Sequence, residues 1–283
     1  SFKATILELI SEPELDFAGC SVTLPHKENL VRLAREQGWA LDDVSDACGA
    51  ANTLIIDDEG GRPHVINTDA RAAIDEIRNA LAAVRGHPAP HGARTNADVL
   101  QGARIAVLGA GGVARAIVFA LASVGARVEV YNRSPDRARA LAAEVRDRPT
   151  PTGVAGGNAG THVSGHGLSE SDRSEADVFI NATPIGMAGG PAPDDAPTDL
   201  SRIAAARHAA QPPLPAVFDT VYNPIETPLL RAARALGMPA IDGVGMFVGQ
   251  AAAQFEAWTG TPAPRGLFDR LVREELASRV QRA

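Results

Sequence analysis

Apolar residues in this chain fall into short runs separated by stretches of helical spacing, the alternation that builds a parallel sheet with helices on both faces. Ile105 to Leu108, Arg127 to Tyr131, Ala176 to Ala182 and Ala216 to Tyr222 predict strands, with a short last one at Pro239 to Ile241. Between them the spacing predicts helices over 113–124, 136–145 and 228–236, the first and last stopped by Gly125 and Gly237. Upstream, residues 1–19 read as a helix and loop, 19–24 as a strand halted by Pro25, and 26–38 as a helix. Residues 47–56 read as a second strand, turned at 57–61 into a third at 64–67, and a helix follows over 70–84. The Pro, Gly and His content of 85–96 predicts an exposed insertion, and the Gly, Pro, Ser and Thr density of 147–175 a mobile loop. After a second Pro-rich stretch, a helix apolar nearly all round spans 246–259 and an amphipathic one 267–280.

Within this frame one stretch carries chemistry. Gly109, Ala110, Gly111, Gly112, Val113 and Ala114 form G-x-G-x-x-A between a predicted strand and a predicted helix, a dinucleotide fingerprint. Its glycines allow a tight turn and a close backbone approach to a pyrophosphate, and the helix start offers N–H groups and a positive dipole end. An NAD site places an acid at the tip of the next strand, where this chain has Asn132, Arg133, Ser134, Pro135, Asp136 and Arg137. Arg133 follows the strand, and Ser134 and Pro135 read as the cap and first position of a helix that places Arg137 one turn on. Two guanidinium groups suit a 2′-phosphate, so NADP is the expected cofactor.

Composition narrows the classes. Hydrophobic residues make up 45% and mean hydropathy is −0.05, as in water-soluble globular chains, and no apolar run approaches the roughly 18 residues of a membrane span. The start shows neither basic region nor apolar core of a signal peptide, which predicts a cytoplasmic enzyme. A net charge of −7 opposes binding to nucleic acid. Cys20 and Cys48 stand far apart among small apolar residues and read as buried free thiols. His162 and His166, without accompanying acids or thiols, read as solvated loop residues, and no metal is expected. Of 27 basic residues only Lys3 and Lys27 are lysine. Lysine differs from arginine in carrying a compact ammonium whose proton can be moved, which singles out Lys27 at the end of a strand beside a helix start.

Five further segments, in order, complete the reading: Ser21 to Glu28, Gly49 to Thr53, Asn67 to Asp69, Asn181 to Gly186 and Asp242 to Met246. With the nucleotide fingerprint they cover most of the chain and resemble the shikimate dehydrogenase family. The resemblance implies an α/β protein with a Rossmann-type, doubly wound NADP domain (71–244) and a smaller α/β substrate domain (1–70 and 245–283) completed by C-terminal helices. It implies that Lys27 and Asp69 face each other beside the reacting carbon, with Lys27 as the proton donor to the developing alkoxide. By the same likeness Thr23, Asn52 and Gln250 hold ring hydroxyls and Tyr222 lies near substrate and nicotinamide. Asn132, Arg133 and Arg137 match NADP-recognising positions, and Thr183 and Gly243 flank the cofactor. The implied partner is a small molecule, 3-dehydroshikimate or shikimate, bound by a monomer or homodimer. The competing readings are a quinate/shikimate dehydrogenase of broader cofactor use, opposed by Arg133 and Arg137, and a non-catalytic sensor of pathway metabolites, opposed by Lys27 with Asp69. The family's Ser-x-Ser segment has no counterpart in these residues. The substrate domain is therefore expected to be truncated at its N-terminal side and to lack a central strand, leaving ladder groups unpaired beside Val22, Leu24, Leu54 and Ile56, in a fragment or the tail of a multifunctional polypeptide, so that residues 1–283 alone are expected to bind NADP without oxidising shikimate. Ala70 stands where the family usually has Gly.

Overall fold

Two sheets organise the chain in the computed structural model, which describes residues 1–23, 25–56, 62–84, 99–147, 162–210 and 213–282. The first sheet comprises β1 (Gly19–Ser21), β2 (Ala40–Leu41), β3 (Thr53–Ile56) and β4 (Pro63–Ile66), in the order β1-β3-β4-β2. β3 pairs antiparallel with both β1 and β4, with Leu54 opposite Cys20 on one side and Val65 on the other. β3 is thus an interior strand, so the ladders beside Leu54 and Ile56 are occupied, whereas β1, which leads to Val22, is an edge strand, and Leu24 lies outside the described residues. The order is contiguous and its edges are β1 and β2. α1 (Phe2–Ser11) and α2 (Lys27–Gln37) cover this sheet, with Ile6, Leu30, Val31, Leu33 and Ala34 buried in one cluster with Leu54 and Val65.

The segment 47–56 is not one strand. α3 (Asp43–Cys48) takes its first part, because the Asp42 side chain accepts from the Ser45 N–H and Gly49 closes the helix at φ +68°. Helix caps prevailed there over the apolar run. Cys48 is buried in that helix, its thiol donating to the Ala50 carbonyl, and burial pushes it up to about 11; Cys20 is half-buried. The expected turn at 57–61 and the insertion at 85–96 lie outside the described residues.

α4 (Thr68–Val84) leads into the second sheet. Its strands are β5 (Arg104–Leu108), β6 (Arg127–Asn132), β7 (Val163–Gly167), β8 (Val178–Asn181), β9 (Ala216–Asp219) and β10 (Ala240–Ile241). Their order is β10-β9-β8-β5-β6-β7 and every pairing is parallel. β8 and β9 are buried along their whole length, as strands covered on both faces must be. The helices are α5 (Gly112–Ser123), α6 (Pro135–Asp147), α7 (Leu200–Ala210) and α8 (Pro228–Ala235). This is the doubly wound Rossmann architecture, and the order reverses between β5 and β8, which opens a crevice at the strands' carboxyl ends. α9 (Val244–Thr259) and α10 (Arg265–Arg282) finish the chain.

Within the predicted loop at 147–175, β7 and a 3-10 helix (Leu168–Arg173) occupy the second half, and 148–161 lie outside the described residues. His166 is accordingly a strand residue, stacked on Tyr131 at 5.3 Å and hydrogen-bonded to Ser164. α7 also lies in a stretch from which no helix is predicted.

Candidate active site

The site forms where α2 and α4 begin. His26 caps α2 and Lys27 is its first residue; Asn67 accepts the Ala70 N–H through Oδ1, which places Asp69 in the first turn of α4. The positive end of that helix favours a carboxylate. Lys27 Nζ donates to Asp69 Oδ2 at 2.7 Å, with the two side chains only 12% and 11% exposed. Ala70 is buried in the α4 helix, and the described backbone shows no positive φ there, so its methyl group is unstrained.

The pair lies on a cleft of about 290 Å³. Thr23, Lys27, Asn52 and Asp69 line one side, Val113, Thr220, Tyr222 and Gly243 the other, and Met246, Phe247 and Gln250 of α9 close it. Tyr222 is 38% exposed and stacks on Phe247 with centroids 4.4 Å apart. Asn52 is buried: its amide donates to Thr68 Oγ1 (2.9 Å) and Gln250 Oε1 (3.3 Å), and its oxygen accepts from Thr68 N and Thr53 Oγ1. Asn52 therefore fixes Gln250 and the start of α4.

The nucleotide side is built from turns a side chain would fill. Gly109 sits at φ +122°, and a Cβ there would stand 2.7 Å from the Ala182 carbonyl oxygen. Gly111 and Gly112 border open space at the start of α5, whose first turn continues with half-buried Val113 and fully buried Ala114. The open approach at Gly111 and Gly112 is a cradle that fits a pyrophosphate. At the tip of β6, Asn132 donates to the Ser134 carbonyl, and Arg133, Ser134 and Arg137 are exposed. Among the described residues neither Arg133 nor Arg137 is paired with a carboxylate, so both guanidinium groups are available to an anion. At Gly243 a Cβ would meet the Val221 and Thr220 carbonyls at 2.7 and 2.8 Å, so that glycine lets α9 start against the cleft.

The sequence reading missed the support beneath this rim. Asp219, fully buried at the end of β9, accepts from Asn181 Nδ2 (2.9 Å), Thr227 Oγ1 (2.7 Å) and Val221 N (3.0 Å). Burial pushes its carboxyl up to about 6, against the hydrogen bonds it accepts. Asn181 in turn accepts from the backbone and hydroxyl of Thr183, so one network braces the loops after β8 and β9. The available signal was an acid closing an otherwise apolar strand.

A parallel sheet with a phosphate cradle, facing a buried ammonium–carboxylate pair across a cleft, defines a dinucleotide-dependent oxidoreductase scaffold. The family profile for shikimate/quinate 5-dehydrogenase matches residues 91–152, and that for the shikimate 5′-dehydrogenase C-terminal domain matches 243–273. Shikimate dehydrogenase (NADP(+)) of Methanocella arvoryzae is 37% identical over 262 residues, covering 93% of this chain and 80% of that one. A crystal structure of a shikimate dehydrogenase in complex with NADP+ superposes with TM-score 0.73 at 28% identity, over 97% of this chain and 81% of the other. Quinate dehydrogenase from Corynebacterium glutamicum in complex with NAD superposes with TM-score 0.72 at 27% identity, over 95% and 81%. The chain belongs to the shikimate dehydrogenase family.

Proposed function

We propose that this protein is an NADP-dependent shikimate dehydrogenase that interconverts 3-dehydroshikimate and shikimate in chorismate and aromatic amino acid biosynthesis. The observation that carries the reading is the 2.7 Å Lys27–Asp69 contact on a cleft shared with the nucleotide-binding side. NADP(H), when bound, supplies or accepts the hydride. Gly109, Gly111, Gly112 and the start of α5 would hold its pyrophosphate, and Arg133 and Arg137 would hold the 2′-phosphate. Lys27 Nζ gives its proton to the developing alkoxide in the reducing direction and takes one back in the other. Asp69 accepts from that ammonium, fixes its direction and binds a ring hydroxyl. Thr23 and Gln250 orient the remaining hydroxyls, Asn52 supports Gln250, and Tyr222 with Phe247 keeps water from the reacting carbon.

The division into a substrate-binding part (1–70 and 245–283) and an NADP-binding part (71–244) belongs to the same proposal, as does a cytoplasmic location. Among the described residues no helix is long and apolar enough to cross a membrane. The test is NADP reduction on adding shikimate, with quinate and NAD as comparisons, in the native protein and in Lys27→Arg. Turnover is expected with shikimate and NADP, and the variant keeps the charge but loses the movable proton, lowering kcat about 100-fold. Equal rates with NAD, or with quinate, would favour the broader enzyme; near-normal kcat in the variant would leave Lys27 only an electrostatic role.

A further inference from the structure

We propose that Arg115 is a positioning residue that couples the phosphate-binding helix α5 to the Lys27–Asp69 pair through the turn Cys48–Ala51. The inference rests on the reading of that pair as the proton-transfer groups. Arg115 is one turn into α5, its amide donating to the Gly111 carbonyl within the phosphate turn. Its side chain, 23% exposed, borders the cavity shared with Gly111 and Arg137 and donates from Nε to the Cys48 carbonyl at 3.1 Å, at the end of α3. The other two nitrogens bind Glu144 of α6 bidentately at 3.0 and 2.7 Å, and the guanidinium lies 5.8 Å from the centre of the Phe119 ring. A planar fork can meet the carboxylate through two parallel N–H bonds while Nε holds the carbonyl, a geometry that a single ammonium nitrogen does not offer.

The Cys48–Ala51 turn is itself bonded to both members of the pair's scaffold. The Ala51 N–H donates to the Lys27 carbonyl at 3.1 Å. The Ala50 carbonyl accepts from Asn67 Nδ2 at 2.8 Å, and Asn67 caps the helix that carries Asp69. A shift of α5 on gripping a pyrophosphate is thus passed by Arg115 to one short turn, and by that turn to the backbones beneath Lys27 and Asp69. A cavity of about 340 Å³ lined by Ala110, Gly111, Arg115 and Arg137 together with Glu28 and Gly49 brings the phosphate turn and the Cys48–Ala51 turn to one space. A mere α5–α6 brace would need Glu144 alone; the bond to Cys48 ties α5 to the end of α3, from which the chain runs into β3.

The test is a double-mutant cycle of Arg115→Met with Lys27→Arg in the full chain, with NADP+ dissociation constants from calorimetry beside the kinetics. Arg115→Met is expected to lower kcat about 10-fold or more, the scale of a sub-ångström misplacement, while NADP+ affinity changes less than about 3-fold. In the Lys27→Arg background the same substitution should cost less than about 2-fold, because the pair it aligns no longer transfers the proton. A weakened NADP+ affinity with kcat retained would overturn the proposal and make Arg115 a cofactor contact. An equal kcat loss in both backgrounds would overturn it in favour of a structural brace. Near-normal kcat for Lys27→Arg alone would fail the proton-donor reading instead, and the cycle with Asp69→Asn then decides Arg115 by the same criterion. Should Arg115→Met not fold, Glu144→Gln, which keeps Arg115 with weaker anchoring, is expected to give the same pattern with a loss of about 3-fold.

Discussion

Asp219→Asn isolates the buried carboxylate beneath the cleft rim. In the native protein its pKa stands at about 6 against an ordinary 3.8, because burial disfavours the charge more than its three donors favour it. The folded state therefore holds this proton more tightly than the unfolded chain. Its stabilising contribution is full below about pH 4 and is lost as pH rises through about 6, reaching roughly 3 kcal/mol at neutrality. Applied to those two values, the linkage relation gives a loss of about 1.4 kcal/mol between pH 5 and pH 7.5. In Asp219→Asn that slope disappears. The variant also turns an N–H toward Thr227 Oγ1, which already accepts from the Leu230 N–H, so the Thr227 hydroxyl proton loses its acceptor at a pH-independent cost of about 1 kcal/mol. Urea unfolding of both proteins at the two pH values separates slope from offset. Identical pH dependence in native protein and variant would refute the account, and would mean that Asp219 is ionised in the folded state as readily as in water.

Arg133→Asp is expected to weaken NADP binding by about 1.5–3 kcal/mol and leave NAD nearly unchanged, since a charge-assisted bond is replaced by repulsion; calorimetry with both cofactors checks it. Gly109→Ala should abolish measurable NADP binding and lower the melting temperature, because a methyl group would press on the Ala182 carbonyl at a φ that L-residues rarely adopt. Gln254→Leu removes an amide that donates to Ser21 Oγ, the Asn52 carbonyl and Thr53 Oγ1. It should cost about 1–3 kcal/mol in urea unfolding through the acceptors left buried.

What could be read from sequence was whatever local chemistry determines. The phosphate turn, α5 and the strands β5, β8 and β9 follow from glycine spacing and apolar runs, and Lys27 from the scarcity of lysine. What escaped depends on partners distant in the chain. β7 is made of Val163, Ser164, Gly165, His166 and Gly167, a composition of low strand propensity, and becomes a strand because β6 offers it an edge. Gly165 is demanded there by α6, whose backbone at Ala138 would stand 2.4 Å from a Cβ. Arg115 looked like one of many arginines, since its bond to Cys48 joins residues 67 positions apart. α3 shows the opposite failure: Asp42 and Gly49 are local signals, overlooked beside the apolar residues that follow.

The path of α9 bears on how the chain is made. The six-stranded sheet receives its last strand at Ile241, before α9 begins. The buried polar groups of the four-stranded sheet find their partners only afterwards: Asn52 meets Gln250 198 residues on, Ser21 meets Gln254 233 residues on, and the Leu54 carbonyl accepts from Trp258. Emerging from the ribosome, the six-stranded sheet can close while the earlier-synthesised one still waits for its capping helix. The four-stranded sheet, made earlier than the six-stranded one, is thus the later of the two to settle, and during synthesis it is the one exposed to misassembly.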